Sequence, residues 1–133
     1  MNLQEMKSTV MFQTNNDADD LGDFLPYVTN YLNEGYDRLA VAWAGEHVSE
    51  ESQTYTPLKN DKALPELPEW THGAIADWAT WLVYRNGSAQ KQDRGLCYRR
   101  AFEAMEKRLY GMSAAEKRRE APVNRPAFFH IPG

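Results

Sequence analysis

The chain has 133 residues, 42% of them hydrophobic, with 15 basic and 19 acidic side chains and a formal net charge of −4. A single domain of this size buries about two-thirds of the surface its unfolded chain exposes, so it needs no metal or disulfide staple, and the lone Cys97 excludes an internal disulfide. No run approaches the ~20 apolar residues of a membrane-spanning helix, and four Trp, seven Tyr and five Phe exclude a wholly disordered chain.

The N-terminus, MNLQEMKSTV, lacks the apolar core of a secretory signal, and an intracellular, reducing setting is expected. Met1 to Phe12 reads as a short amphipathic helix with Leu3, Met6, Val10 and Met11 near one face. The polar stretch Gln13 to Asp20 follows. Its Asp17-Ala18-Asp19-Asp20-Leu21-Gly22 resembles the start of a calcium loop. Leu21 and Val28 then fall where oxygen ligands are required, so turn and cap chemistry is the better account.

A longer helix is expected from Asp23, an N-cap candidate, with Pro26 in its first turn. Leu25, Val28, Leu32, Tyr36, Leu39 and Trp43 form one stripe, which Tyr27 and Tyr31 widen. Gly35 weakens such a helix and is expected where a neighbouring helix approaches closely; Gly45 is the stop signal. His47 to Leu67 reads as a long loop, with an extended arm around Gln53 to Leu58. A third helix begins near Pro68, buries Ile75, Trp78, Ala79, Leu82 and Val83, and ends at Asn86-Gly87, where Gly87 is expected in the left-handed conformation.

Ser88 is placed to cap a fourth helix, whose stripe is Tyr98, Phe102, Met105 and Leu109 with Cys97 and Ala101 beside it, and which stops at Gly111. Glu103 and Lys107 are spaced for an i,i+4 ion pair. Ser113 caps a short charged segment from Ala114 to Glu120. The last thirteen residues, from Ala121, contain three prolines, yet Phe128, Phe129 and Ile131 are too apolar for an idle tail. They fold back on the same domain, form an arm that docks on another subunit or partner, or are disordered. The expected architecture is all-α: a small bundle of about four helices, with a long central loop or arm, residues 1–112 forming the helical domain and residues 113–133 a C-terminal arm.

Charge is unevenly distributed. Residues 1–60 hold three basic and ten acidic side chains, a net of −7, while residues 61–133 hold twelve and nine, a net of +3. Two solvated faces of opposite sign account for this. So does electrostatic complementarity between copies, which is heterologous and closes into a ring when repeated around a suitable rotation. Nucleic-acid binding is disfavoured by the net acidity. That role requires Arg94, Arg99, Arg100, Lys107 and Arg108 to line one exposed face.

Chemistry-bearing motifs are lacking. His47, His72 and His130 are isolated, without zinc-ligand spacing, and there is no Gly-rich phosphate loop or nucleophile elbow. Cys97 reads as a small core residue. Trp70, Trp78, Trp81 and Tyr84 read as core rather than as a base-stacking platform. The residues therefore predict no enzyme, no cofactor and no metal.

Three segments in order, DADDLGDFLPYVTNYLNEGYDRLAVAW (Asp17 to Trp43), LPEWTHGAIADWATWLVYRNG (Leu67 to Gly87) and QKQDRGLCYRRAFEAMEKRL (Gln90 to Leu109), resemble the small helical head–tail connector (adaptor or head-completion) proteins of tailed bacteriophages. The shared features are Asn33-Glu34-Gly35-Tyr36, Arg85-Asn86-Gly87 and Arg94 through Phe102. The resemblance implies a virion protein of the neck, assembled as a homo-oligomeric, dodecameric ring beneath the portal. Such a ring extends the DNA channel without gripping DNA specifically and receives the next neck or tail component. On that reading Arg125, Pro126, Phe128, Phe129 and Ile131 are candidates for inter-subunit or portal docking, and Glu50, Glu51, Tyr55 and Leu58 for a loop interface. The alternative is a small phage or prophage accessory protein that binds one protein partner.

Overall fold

The computed structural model describes residues 1–14, 24–45 and 56–121. Among these the regular elements are helical: α1 (Leu3–Thr14), α2 (Leu25–Ala44), a single 3₁₀ turn (Glu69–Thr71) running into α3 (His72–Arg85), α4 (Ala89–Gly111) and α5 (Ala114–Arg119). The all-α expectation holds.

α3 is the central helix. Eleven of its fourteen residues are buried, including Ile75, Trp78, Trp81 and Leu82, because the other three long helices pack against it. The side-chain contacts fix the directions. Met1 lies beside His72, and Gln13 beside Thr80 and Tyr84, so α1 runs parallel to α3. Asn86 reaches Tyr31, and Gly35 faces Trp78, so α2 runs antiparallel. Gly95 faces Tyr84 and Trp81, Phe102 meets Trp78, and Arg108 covers Trp70, so α4 is antiparallel too.

Gly35 does permit a close helix–helix approach. A Cβ built there would lie 3.0 Å from Trp78 Cβ, so any side chain would push α2 off α3. Gly95 is tighter: its Cβ would be 2.6 Å from Tyr84 Cβ and 2.8 Å from Trp81 Cε3. Both glycines sacrifice helix propensity for contact with the two indoles.

The helix ends follow local chemistry, with some differences from the sequence expectations. α1 extends to Thr14, whose hydroxyl donates to Val10 O. Its start is closed by a reciprocal cap: Glu5 N–H donates to Asn2 Oδ1, and Asn2 N–H to Glu5 Oε1. The N-cap of α2 is Phe24, with Pro26 in the first turn; Asp23 lies outside the described residues. α2 stops at Gly45, with φ 66°, where only glycine is unstrained. Gly87 is not left-handed. Its N–H bonds Tyr84 O, while the Asn86 side chain folds back to Leu82 O and completes the turn. Ser88 caps α4 as expected, accepting from Lys91 N–H. Ser113 and Glu116 form a full capping box on α5.

The link before α3 is wired to the bundle. Asn33 pairs with the Leu58 backbone on both edges, accepting from Leu58 N–H at 2.7 Å and donating to Leu58 O at 2.9 Å. Tyr36 hydroxyl accepts from Glu66 N–H. The carbonyls of Asp61 and Ala63 receive the N–H groups of Gln4 and Leu3 at the start of α1. Leu58 is consequently 2% exposed and part of the core. It does not present a loop interface, contrary to expectation: its side chain joins the core while the Asn33 amide holds its backbone.

Candidate interaction surface

α4 and α5 form one side of the molecule. Of the 23 residues of α4, Gly95, Phe102 and Leu109 are buried. They recur every seven residues, so a narrow seam holds the helix while the rest faces solvent. Tyr98 and Met105 lie half-buried along the seam. Cys97 is exposed, one position off it, and is not the core residue the stripe suggested. α4 and α5 together carry nine basic and four acidic side chains, a net of +5. The described residues before Arg85 carry four basic and seven acidic side chains, a net of −3.

The basic residues do not line a single face. Arg99 lies over Trp81 at 5.5 Å and pairs with Glu103 at 3.5 Å, whereas Arg108 lies over Trp70 at 4.2 Å. Glu103 thus turns back to Arg99 instead of forward to Lys107. The indoles of Trp78 and Trp81 are 7% exposed and offer no stacking platform; their reading as core stands.

One contact ties α4 to α2. The Arg38 guanidinium donates to both carboxylate oxygens of Glu106, at 2.7 and 2.9 Å, and stacks over Trp78 and Phe102 at 4.4 and 5.0 Å. A planar cation suits this position, since it grips the carboxylate with its edge and the rings with its face.

At the far end of α4 the chain turns at Met112 and α5 crosses the end of α2. Lys117 Nζ donates to Ala42 O and sits near the Trp43 ring. A cation there complements the negative end of the α2 dipole. Partial burial pulls the Lys117 pKa below its ordinary value. Trp70 Nε1–H donates to Glu120 Oε2. A cavity of about 500 Å³ remains between these elements, lined by Ala44 and Gly45 of α2, Tyr110 and Met112 after α4, and Ala114, Lys117 and Arg118.

Two interior polar clusters complete the inventory. His72 is 1% exposed. Its Nε2 lies 2.9 Å from Leu67 O and its Nδ1 2.8 Å from the Met1 ammonium, which also donates to Glu69. Nε2–H therefore donates to the carbonyl and Nδ1 accepts, the neutral tautomer, and burial lowers the His72 pKa. The Met1 ammonium holds the Glu69 carboxyl below its ordinary range. Asp77 accepts from Gln13 Nε2, and its pKa is raised by burial. Thr80 donates to the other end of the same amide. Among the described residues no three His, Cys, Asp or Glu side chains converge to hold a metal. Nor, among the described residues, is any helix long and apolar enough to cross a membrane.

Of the sequence candidates, Glu50, Glu51, Tyr55, Arg125, Pro126, Phe128, Phe129 and Ile131 lie outside the described residues. The clamps at Asn33, Tyr36 and Arg38, and the Lys117 cap, were not among the candidates. The sequence places Tyr36 in the α2 stripe and Asn33 and Tyr36 among the residues of the resemblance, and it assigns Arg38 no contact; the contacts themselves are not readable locally, because the partners lie 25 to 68 residues away. In comparison with known proteins, no family model, no curated protein and no solved structure matches the chain.

Proposed function

We propose that this protein is a structural adaptor of a bacteriophage neck. It assembles as a homo-oligomeric ring under the portal, joins capsid to tail and extends the DNA channel without specific DNA contacts. The observation that supports the reading best is the segregation of charge along the chain: the C-terminal pair of helices carries +5, the described N-terminal portion −3. Residues 15–23 and 46–55 add seven acidic side chains and no basic ones. Opposite signs on different elements favour a heterologous contact between copies, which closes into a ring. α3, with eleven of its fourteen residues buried, supplies the fixed centre of a body that can repeat. Residues Arg125, Pro126, Phe128, Phe129 and Ile131 serve as the arm that engages a neighbour or the portal, and Glu50, Glu51 and Tyr55 contribute to the acidic partner surface.

Quantitative mass spectrometry of density-purified virions tests this. A ratio to the portal subunit near one is expected. Absence from the particle refutes the adaptor reading and favours an accessory protein that binds one partner. Reversing Glu50 and Glu51 to lysine is expected to weaken assembly more at low salt than at high salt.

A further inference from the structure

α5 presents a physical problem. It has six residues, none of them buried, and isolated helices shorter than about 12 residues are marginal in water. Its capping box and the bonds of Lys117 and Glu120 orient it. The Glu120 contact is exposed and the Lys117 contact only partly buried, so the pair contributes modest net stability. Behind it lies the 500 Å³ cavity, large enough for a small ligand or a pair of side chains.

We propose that, in the free subunit, this cavity is the seat of the Phe128-Phe129 pair of the same chain. The lining chemistry selects an aromatic occupant. Met112 offers a thioether, Lys117 and Arg118 offer cations to ring faces, and Ala44 and Ala114 make apolar walls. Tyr110, 55% exposed beside them, supplies a further ring edge. Position agrees as well. The tail departs at Ala121, directly after α5, and Phe128 is seven residues on, a reach of up to ~23 Å when extended. A tail beginning three residues after Arg118 of the cavity wall has a high effective concentration there, which favours its own subunit over a second copy. The inference is independent of the ring, because it concerns the free subunit. If an arm engages a neighbour on assembly, it must first leave this seat.

The test uses the full chain with Cys97→Ser. Ala44→Cys at the cavity is paired with Ala127→Cys in the tail, which keeps both phenylalanines. Gln90→Cys, at the opposite end of α4, with Ala127→Cys is the control. Under mild oxidation at low micromolar concentration the first pair is expected to form a disulfide within the monomer and the control pair none. Equal crosslinking of both pairs, no crosslinking, or crosslinking only as dimers overturns the proposal; dimers would mean that a second copy supplies the occupant. In parallel, the double variant Phe128→Ala, Phe129→Ala is expected to speed amide exchange in α5 by about tenfold while α3 is unchanged. Unchanged exchange in α5 also overturns it.

Discussion

The approach of α4 to α3 at Gly95 can be tested by adding one methyl group. In a helix interior, Gly→Ala is ordinarily favourable by about 1 kcal/mol. At Gly95 the new Cβ would stand 2.6 Å from Tyr84 Cβ and 2.8 Å from Trp81 Cε3. Carbon atoms prefer separations of about 3.5–4.0 Å, so the overlap approaches ~1 Å. Tyr84 Cβ is bonded to its own backbone and cannot swing away, and Trp81 is 7% exposed and held beneath Arg99. The helices must therefore part, in a seam that α4 keeps closed with few buried residues. Overpacking of this kind costs about 1–3 kcal/mol, and separation loses further contacts, so the propensity gain is outweighed. Gly95→Ala is expected to destabilise by about 1–2 kcal/mol, lowering the melting temperature by about 3–10 °C. Gly73→Ala is the control. Nothing lies within 4 Å of its Cβ, and it should stabilise by about 0.5 kcal/mol. Urea unfolding, followed by tryptophan fluorescence, gives both midpoints at constant slope. Gly95→Ala as stable as the parent, or a shift of the same sign for both variants, would refute the close-approach argument.

Two further predictions follow from the polar contacts. Burial lowers the His72 pKa in the folded state, so on acidification the unfolded chain takes up this proton first. The stability held by neutral His72 is complete above the ordinary histidine value near ~6.5 and is lost as pH falls through the lower folded value. Urea midpoints from pH 8 to 5 should decline below that point, and His72→Gln should flatten the decline; an unchanged profile would show that His72 is not the group responsible. Arg38→Lys keeps the charge but loses the planar fork on Glu106 and the stacking over Trp78. It is expected to cost about 1 kcal/mol, and a urea midpoint equal to that of the parent would reduce the contact to simple charge pairing.

The helical stripes were legible in the sequence because burial follows a period that one helix carries within itself. Val28, Leu32, Tyr36 and Leu39 are buried in α2, as are Phe102 and Leu109 in α4. The caps at Ser88 and Ser113 and the stop at Gly45 were legible for the same reason, since each signal acts over about four residues. Gly35 was readable as a helix contact, but its partner was not. Leu58 and Cys97 misled in opposite directions. Leu58 sits in a Pro- and Tyr-containing link that reads as exposed, yet it joins the core while the distant Asn33 amide holds its backbone. Cys97 neighbours a stripe only two side chains wide, so one helical step of 100° carries it into solvent. The uneven charge was legible as a net charge for each half of the chain. Its division among faces was not, because Arg38, Arg99 and Arg108 are each committed to rings supplied by other elements.

The elements also differ in how firmly they are held, with a consequence for assembly. α3 buries eleven of fourteen residues, α4 three of twenty-three, and α5 none. Local opening free energy tracks buried contacts, so amide exchange should slow from α5 to α4 to α3. The basic helices are thus the parts of the body that would adjust at least cost to the docking proposed above, whereas α3 stays fixed as their common support. Native-state hydrogen exchange measures the gradient directly. Protection of α5 equal to that of α3 would mean that the C-terminal helices open only with global unfolding, and adjustment at that surface would then have to come from the partner.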